Sequence, residues 1–241
     1  MTSKRGPYSS EKQRERRRRI LKVAGVQLQK HGLDALTMQS IAEVSEVSTK
    51  TLYNLFGSRD LLLLEAASDR LVDLETSSEL NSIEAGIPRL LAFTIGTMAQ
   101  FEEMPKYARA VIAIVMRASM DEETAYQNLT PVQRFAHASL VIADKQGELR
   151  DGIDLLELSY VIAANLWGVV MLWEKGLLQL EQLKIQIALS HSLALTPLCV
   201  GERKVEMEAR LEKLLNAQSA TPVKKTKKKK AAVKLVSNNK R

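Results

Sequence analysis

Residues 37–62 read TMQSIAEVSEVSTKTLYNLFGSRDLL, a span that meets many local structural demands at once. Thr37 suits the N-cap of a short helix carrying Ile41, Ala42 and Val44. Ala42 leaves room for a close helix crossing. Ser45, Glu46 and Val47 make a turn, with Val47 as its buried plug. Ser48 caps a second helix whose inner face holds Leu52, Leu55 and Phe56. Two short helices joined by so tight a turn predict a helix-turn-helix.

The outer face of the second helix presents Thr49, Lys50, Thr51, Tyr53 and Asn54, with Ser48 at its start and no acid among them. Such groups can reach base edges and phosphates in a major groove. Gln39, near the start of the preceding helix, is a further candidate for phosphate. Ser58 caps a third helix, and Arg59 lies in its first turn, where the positive end of a helix disfavours a cation unless a phosphate shares the site. Upstream, Ile20, Ala24 and Leu28 recur every four residues, and Lys30, His31 and Gly32 read as a helix stop. Leu33, Leu36 and Met38 complete a small core. The predicted unit is a three-helix DNA-binding head.

The string VSTKTLYNLFGSRDLL, with I-L-x-x-A beginning seventeen residues before Thr37, resembles the TetR family of bacterial transcriptional regulators. The resemblance covers roughly residues 15–65. It implies an all-α protein with the helix-turn-helix head on a larger helical body that binds a ligand and dimerises. It implies also that Tyr53 contacts DNA. The chain departs from the family where Glu46 and Lys50 stand, since both positions often carry glycine. Glu46 is expected to face solvent, because a carboxylate aimed at phosphate would be repelled.

The net charge of +7 is unevenly divided. Residues 1–60 carry +6, residues 61–217 carry −8 and residues 218–241 carry +9. Both ends attract DNA and the middle repels it. The predicted organisation is a basic N-terminal arm (1–14), the DNA-binding domain (15–60), a helical ligand-binding and dimerisation domain (61–217) and a disordered lysine-rich tail (218–241). Arg14, Arg16, Arg17, Arg18, Arg19 and Lys22 are expected to lie against the DNA backbone or in the minor groove. The tail holds six lysines within residues 224–230, too few apolar groups to fold, and suits non-specific, salt-sensitive DNA affinity.

The body reads as successive helices with no strand pattern of useful length. Residues 58–76 link head to body, and 77–85 form a loop. Helices follow over 88–101, from 105, over 131–146, 155–174, 178–195 and 202–217, the last with a Glu206–Arg210 ion pair; 121–130 is a loop. Ala163, Ala164 and Gly168 allow close helix contact, and Ile185, Ala188, Leu189, Ser192 and Leu193 form a stripe on the next helix. Paired about a two-fold axis they predict a four-helix dimer interface. A dimer also gives two heads to read a palindromic operator on double-stranded DNA.

Methionines and aromatics on the body helices suit an adaptable apolar cavity. The candidates are Met98, Phe101, Met104, Met116 and Met120, with Phe135, His137, Trp167 and Met171. The resemblance implies a small-molecule effector there. The single cysteine, Cys199, excludes an internal disulfide and fits a reducing cytoplasm. The start of the chain is charged with no apolar signal segment, and the longest apolar run, residues 160–173, contains Asn165 and falls short of a bilayer.

Enzyme signatures are missing: the sequence has no G-x-S-x-G, no phosphate-cradling glycine loop, no H-E-x-x-H and no metal or cofactor motif. The predicted function is a sequence-specific transcriptional regulator, a repressor released by an apolar or amphipathic ligand. The alternatives are a regulator without an effector and a non-specific architectural DNA-binding protein. Deleting residues 218–241 is expected to make the dependence of log affinity on log salt shallower while sequence preference persists, measured by filter binding across salt concentrations. Loss of preference would show that the tail takes part in reading.

Overall fold

The computed structural model describes residues 7–117 and 131–220, and the secondary structure of these residues is helical. The head contains α1 (Pro7–His31), α2 (Met38–Val44) and α3 (Thr49–Phe56), followed by the linking helix α4 (Arg59–Glu75). Side chains cap the last three as expected. Thr37 accepts from the Ser40 amide at 3.0 Å, Ser48 from Thr51 at 3.1 Å and Ser58 from Leu61 at 3.2 Å. Each cap satisfies one amide that the first turn leaves without an intrahelical partner.

Ile20, Leu28, Ile41, Leu52, Leu62 and Leu63 are fully buried in one cluster. Val47 packs against its edge, as the turn plug should. Val44, expected to join this core, is half exposed, while Met38 is buried as expected. With only two turns in α2, the face that meets α1 and α3 holds Met38, Ile41 and Ala42, and Val44 falls outside it. The N-terminal arm also differs from expectation. From Pro7 onward it is part of α1, because proline is compatible with a first helical turn and no breaker follows.

The body comprises α5 (Ser78–Asn81), α6 (Ile87–Glu103), α7 (Pro105–Arg117), α8 (Pro131–Lys145), α9 (Leu155–Glu174), α10 (Leu183–Leu195) and α11 (Gly201–Ala220). The expected 77–85 loop contains α5, whose first turn is capped by Ser77. The expected 178–195 helix begins as a 3-10 turn at 180–182 before α10. Phe93, Met98, Ile112, Leu166, Trp173 and Ile187 build a second core nearer the head. Leu90, Leu140, Ile162, Leu195, Cys199 and Met207 build a third at the α11 end. α6 contributes to both, which explains an apolar surface over most of its circumference.

α11 is held by Arg203, which donates to Glu148 at 2.7 Å and to Glu84 at 2.8 Å and also pairs with Glu206. The expected Glu206–Arg210 pair therefore does not form: Glu206 turns to Arg203, and the Arg210 Nε is buried without a hydrogen-bond partner. Burial of the neighbouring Cys199 thiol, next to the Glu148 carboxylate, pushes its pKa up to about 11, so it is a protonated core group.

His191 is fully buried between α6 and α9, with Nδ1 3.2 Å from the Thr94 hydroxyl and Nε2 3.0 Å from the Ile162 carbonyl. Burial lowers its pKa from 6.5 to about 4, the contact with Ile162 opposing that shift. The unfolded ring takes a proton that the folded ring refuses. Stability present above pH 6.5 is therefore lost as the pH falls toward about 4, by up to about 1.4 kcal/mol per pH unit from this group. Urea unfolding across that range is expected to show the slope in the wild type and a shallower one in His191→Gln; equal slopes would contradict it.

Candidate functional site

α3 is seated by Leu52 and Phe56, both buried. Its opposite flank carries Lys50, Tyr53 and Asn54, all exposed, with 53% of Tyr53 open to solvent. Residues at i, i+3 and i+4 share one helical face, so the ammonium, phenol and amide form one continuous polar surface. Thr49 and Thr51 are half-buried at its margin. The Thr51 hydroxyl lies 2.8 Å from that of Ser48, so both are engaged in capping. Gln39 is exposed on α2 and donates to Glu43 at 3.2 Å.

Arg59 has a local reason for its position in the first turn of α4. Its guanidinium donates to the carbonyls of Leu33 at 3.3 Å and Leu36 at 3.1 Å, and to Asp60 at 3.1 Å. Those acceptors offset the unfavourable helix end without invoking a phosphate. Much of the basic run is likewise engaged within the chain. Arg17 pairs with Glu65, donates to the Leu55 carbonyl at 2.9 Å and lies 4.4 Å over the Phe56 ring. Arg18 donates to Asp73 at 2.9 Å, and Arg19 donates to the Ser45 carbonyl at 3.1 Å. These arginines clamp α1 onto α4 and the turn at 45–47, which corrects the expectation that the whole run faces DNA.

Glu46 occupies the turn with φ +53°, a left-handed conformation that favours glycine. Its side chain is 83% exposed and 4.0 Å from Arg19. The departure from glycine noted at this position is thus accommodated as backbone strain rather than as a different turn.

α4 connects this face to a cavity. Leu62 and Leu63 face the head core, together with Tyr107 and Ile114 of α7. Leu64, Ala67, Ser68, Arg70 and Leu71 line a cavity of about 60 Å³ shared with α6, α7, α8 and α9. That volume holds a few water molecules. Tyr107 bridges the parts: its ring lines the cavity and its hydroxyl donates to the Leu63 carbonyl at 3.3 Å. A Cβ on Gly25 of α1 would lie 3.7 Å from that ring. Gln29 of α1 accepts from the amides of Lys106 and Tyr107 at 3.0 and 3.1 Å, capping α7 from the head.

Of the expected cavity residues, Phe101 and Trp167 line it. Met98 is fully buried in the second core, and Phe135 stacks on Phe93 with centroids 4.0 Å apart. Met104 packs against the first core, and His137 is half-buried on α8, apart from the lining. Met171 is 41% exposed on the outer face of α9. The Met116 side chain and the whole of Met120 lie outside the described residues. Tyr107, Leu64 and Arg70 were missed. The run Leu61–Leu64 was a signal for α4, since four consecutive apolar residues on a helix point to burial on more than one side.

A second apolar surface is left open on α9. Tyr160, Val161, Ala164, Gly168, Met171 and Leu172 recur at three- and four-residue spacing and are exposed or half-exposed. Leu193 on α10 is 51% exposed, with Ile185 and Leu189 half-buried beside it on the helix. Ala163, Ala188 and Ser192 instead face the protomer interior, where Ala163 and Ile187 share a core. Among the described residues α9 is long and apolar enough, by length and composition, to cross a membrane. It is 39% buried over its apolar window, and much of the rest is this stripe.

Residues 20–66 match the family described as "Bacterial regulatory proteins, tetR family". The chain is 33% identical over 90 residues to the HTH-type transcriptional repressor KstR of Mycolicibacterium smegmatis, covering 37% of this chain and 44% of that protein. It is 31% identical over 90 residues to KstR of Mycobacterium tuberculosis, covering 37% of this chain and 41% of that protein. The chain thus spans less than half the length of the curated relatives it matches. The structure resembles that of Thermus thermophilus FadR, a TetR-family repressor in complex with lauroyl-CoA. There the TM-score is 0.62 at 19% identity, over 77% of this chain and 96% of that one. It also resembles a TetR transcriptional regulator from Rhodococcus sp. RHA1, with a TM-score of 0.61 at 18% identity, over 76% and 97% of the two chains.

Relieving the strained turn is expected to stabilise the head. Glu46→Gly should raise the unfolding free energy by about 1 kcal/mol, because the exposed pair lost with Arg19 contributes little. Chemical denaturation of the two proteins measures this, and a less stable variant would contradict the reading of the turn.

Proposed function

We propose that this chain, whose residues 20–66 match the tetR family of bacterial regulatory proteins, binds an operator in double-stranded DNA as a homodimer and represses transcription. The observation that carries this is the flank of α3, where Lys50, Tyr53 and Asn54 are presented to solvent by a helix anchored through Leu52 and Phe56. Lys50 supplies charge to a phosphate or guanine edge, Asn54 offers a donor and an acceptor, and Tyr53 reaches phosphate or base. Thr49, Thr51, Ser48 and Gln39 contribute at the rim. Arg59 supports the site by tying the 33–36 loop to α4.

One head covers too few base pairs for an operator, so symmetry is part of the proposal. The open stripe of α9, with Leu193, Leu189 and Ile185 of α10, pairs with its copy in a four-helix bundle. Burying that stripe accounts for apolar surface that a protomer alone leaves wet. A protein so assembled works in the bacterial cytoplasm, on the nucleoid.

The cavity beside α4 supports ligand control. An occupant that separates α4 from α7 moves Tyr107, and with it the Leu63 contact and the Gln29 cap that dock the head. The ligand then favours a different spacing of the two heads, and DNA is released because affinity differs between the two arrangements. The FadR neighbour holds an acyl-CoA, lauroyl-CoA, and an apolar or amphipathic effector is in keeping with the walls of this cavity.

Tyr53→Ala is expected to weaken operator binding by about tenfold, with Lys50→Ala weakening it too, while thermal unfolding by circular dichroism stays as in the wild type. Wild-type affinity in purified Tyr53→Ala would remove that residue from the interface.

A further inference from the structure

The cavity walls are mostly apolar, with Ser68, Arg70, Thr97, Gln100 and Tyr107 among the lining residues. Leu64, Leu71, Phe101, Ile112, Val115 and Leu166 supply hydrocarbon and aromatic surface. Arg70, Gln100 and Tyr107 line the same cavity. Gln100 donates its amide hydrogen to the Arg70 carbonyl at 3.2 Å, which fixes α6 against α4 and leaves the amide oxygen for another contact. Burial raises the pKa of Tyr107 above its ordinary value, and the Arg70 charge opposes that rise, which places the guanidinium within electrostatic reach of the phenol. Tyr107 therefore stays a neutral hydroxyl.

Arg70 is weakly compensated. Its ion pair with Glu103 is 3.9 Å long, and Glu103 is 71% exposed, so water screens the carboxylate. The Arg70 side chain is 35% exposed, and an anion brought to it by a ligand forms charge-assisted hydrogen bonds whose gain offsets the water that both charges lose. A neutral ligand gains at most an uncharged hydrogen bond from Arg70, which is weaker than one to a carboxylate, and a cationic one is repelled.

We infer that the effector is an amphipathic anion, an elongated apolar body with one acidic group that Arg70 receives. This rests on the proposed ligand control and narrows it to a chemical class. Arg70 neighbours Asp69, which with Asp73 faces Arg18 of α1. The acidic group is thus bound on the helix whose other side holds the head.

Titration calorimetry of the full-length protein with decanoate, 1-decanol and decylamine tests this. Decanoate is expected to bind at least about tenfold tighter than decanol, and decylamine more weakly than either. Arg70→Met should abolish the preference for decanoate over decanol, and Arg70→Lys should keep part of it. Ala67→Phe, which fills the cavity, should weaken both ligands. Equal affinities for decanoate and decanol in the wild type, or a preference that survives Arg70→Met, would overturn the anion assignment while the cavity stands if Ala67→Phe still weakens both. Binding of neither ligand, or binding indifferent to Ala67→Phe, would overturn the cavity reading and this inference with it.

Discussion

The packing of α4 against α1, α3, α6 and α7 governs the molecule. Its first turns bury Leu62, Leu63 and Leu64 completely or nearly so, each contributing on the order of 1.5–3 kcal/mol. Leu62 and Leu63 share a core with Ile20 and Leu28 of α1, Leu52 of α3 and Tyr107 of α7. The same helix then turns Leu64, Ala67 and Leu71 to the cavity and Glu65, Asp69 and Asp73 toward arginines of α1. Head and body consequently have no clean seam. The core that seats the reading helix extends into α7, and anything that shifts α7 is felt by α1 and α4 together. Close-packed interiors pass such displacements on rather than absorbing them.

Charge is arranged around the same helix. The arginine run is legible in the sequence as attraction for DNA, yet Arg17, Arg18 and Arg19 have protein acceptors within reach. Their partly buried pairs with Glu65 and the reading turn hold geometry, and the long-range field of the basic head persists because each cation still contributes to the potential. The body is acidic by contrast, so the particle is polarised, with the basic end carrying the exposed flank of α3.

Much of the head was legible because its signals are local. Capping hydroxyls at Thr37, Ser48 and Ser58, and a spacing that buries Leu52 and Phe56, are fixed by neighbours within four residues. Tertiary partners were not. The roles of Arg17 and Arg59 depend on Glu65, Leu33 and Leu36, at separations no periodicity encodes. Likewise methionines and aromatics signalled an adaptable body interior, but which of them met a cavity depended on how α4 crosses α6 and α7. Phe101 and Trp167 did; Met98 and Phe135 filled core, and Met171 lay outside. The small residues of α9 divided similarly: Ala164 and Gly168 face out, whereas Ala163 is turned inward by 100° of helix.

Selection of bound fragments from random duplex DNA by the purified protein tests directly whether a polar helix flank reads a groove twice in one symmetric particle. Enrichment of one inverted repeat whose two halves are identical is expected. Enrichment of an unsymmetrical site, or recovery of DNA without a shared sequence, would contradict it.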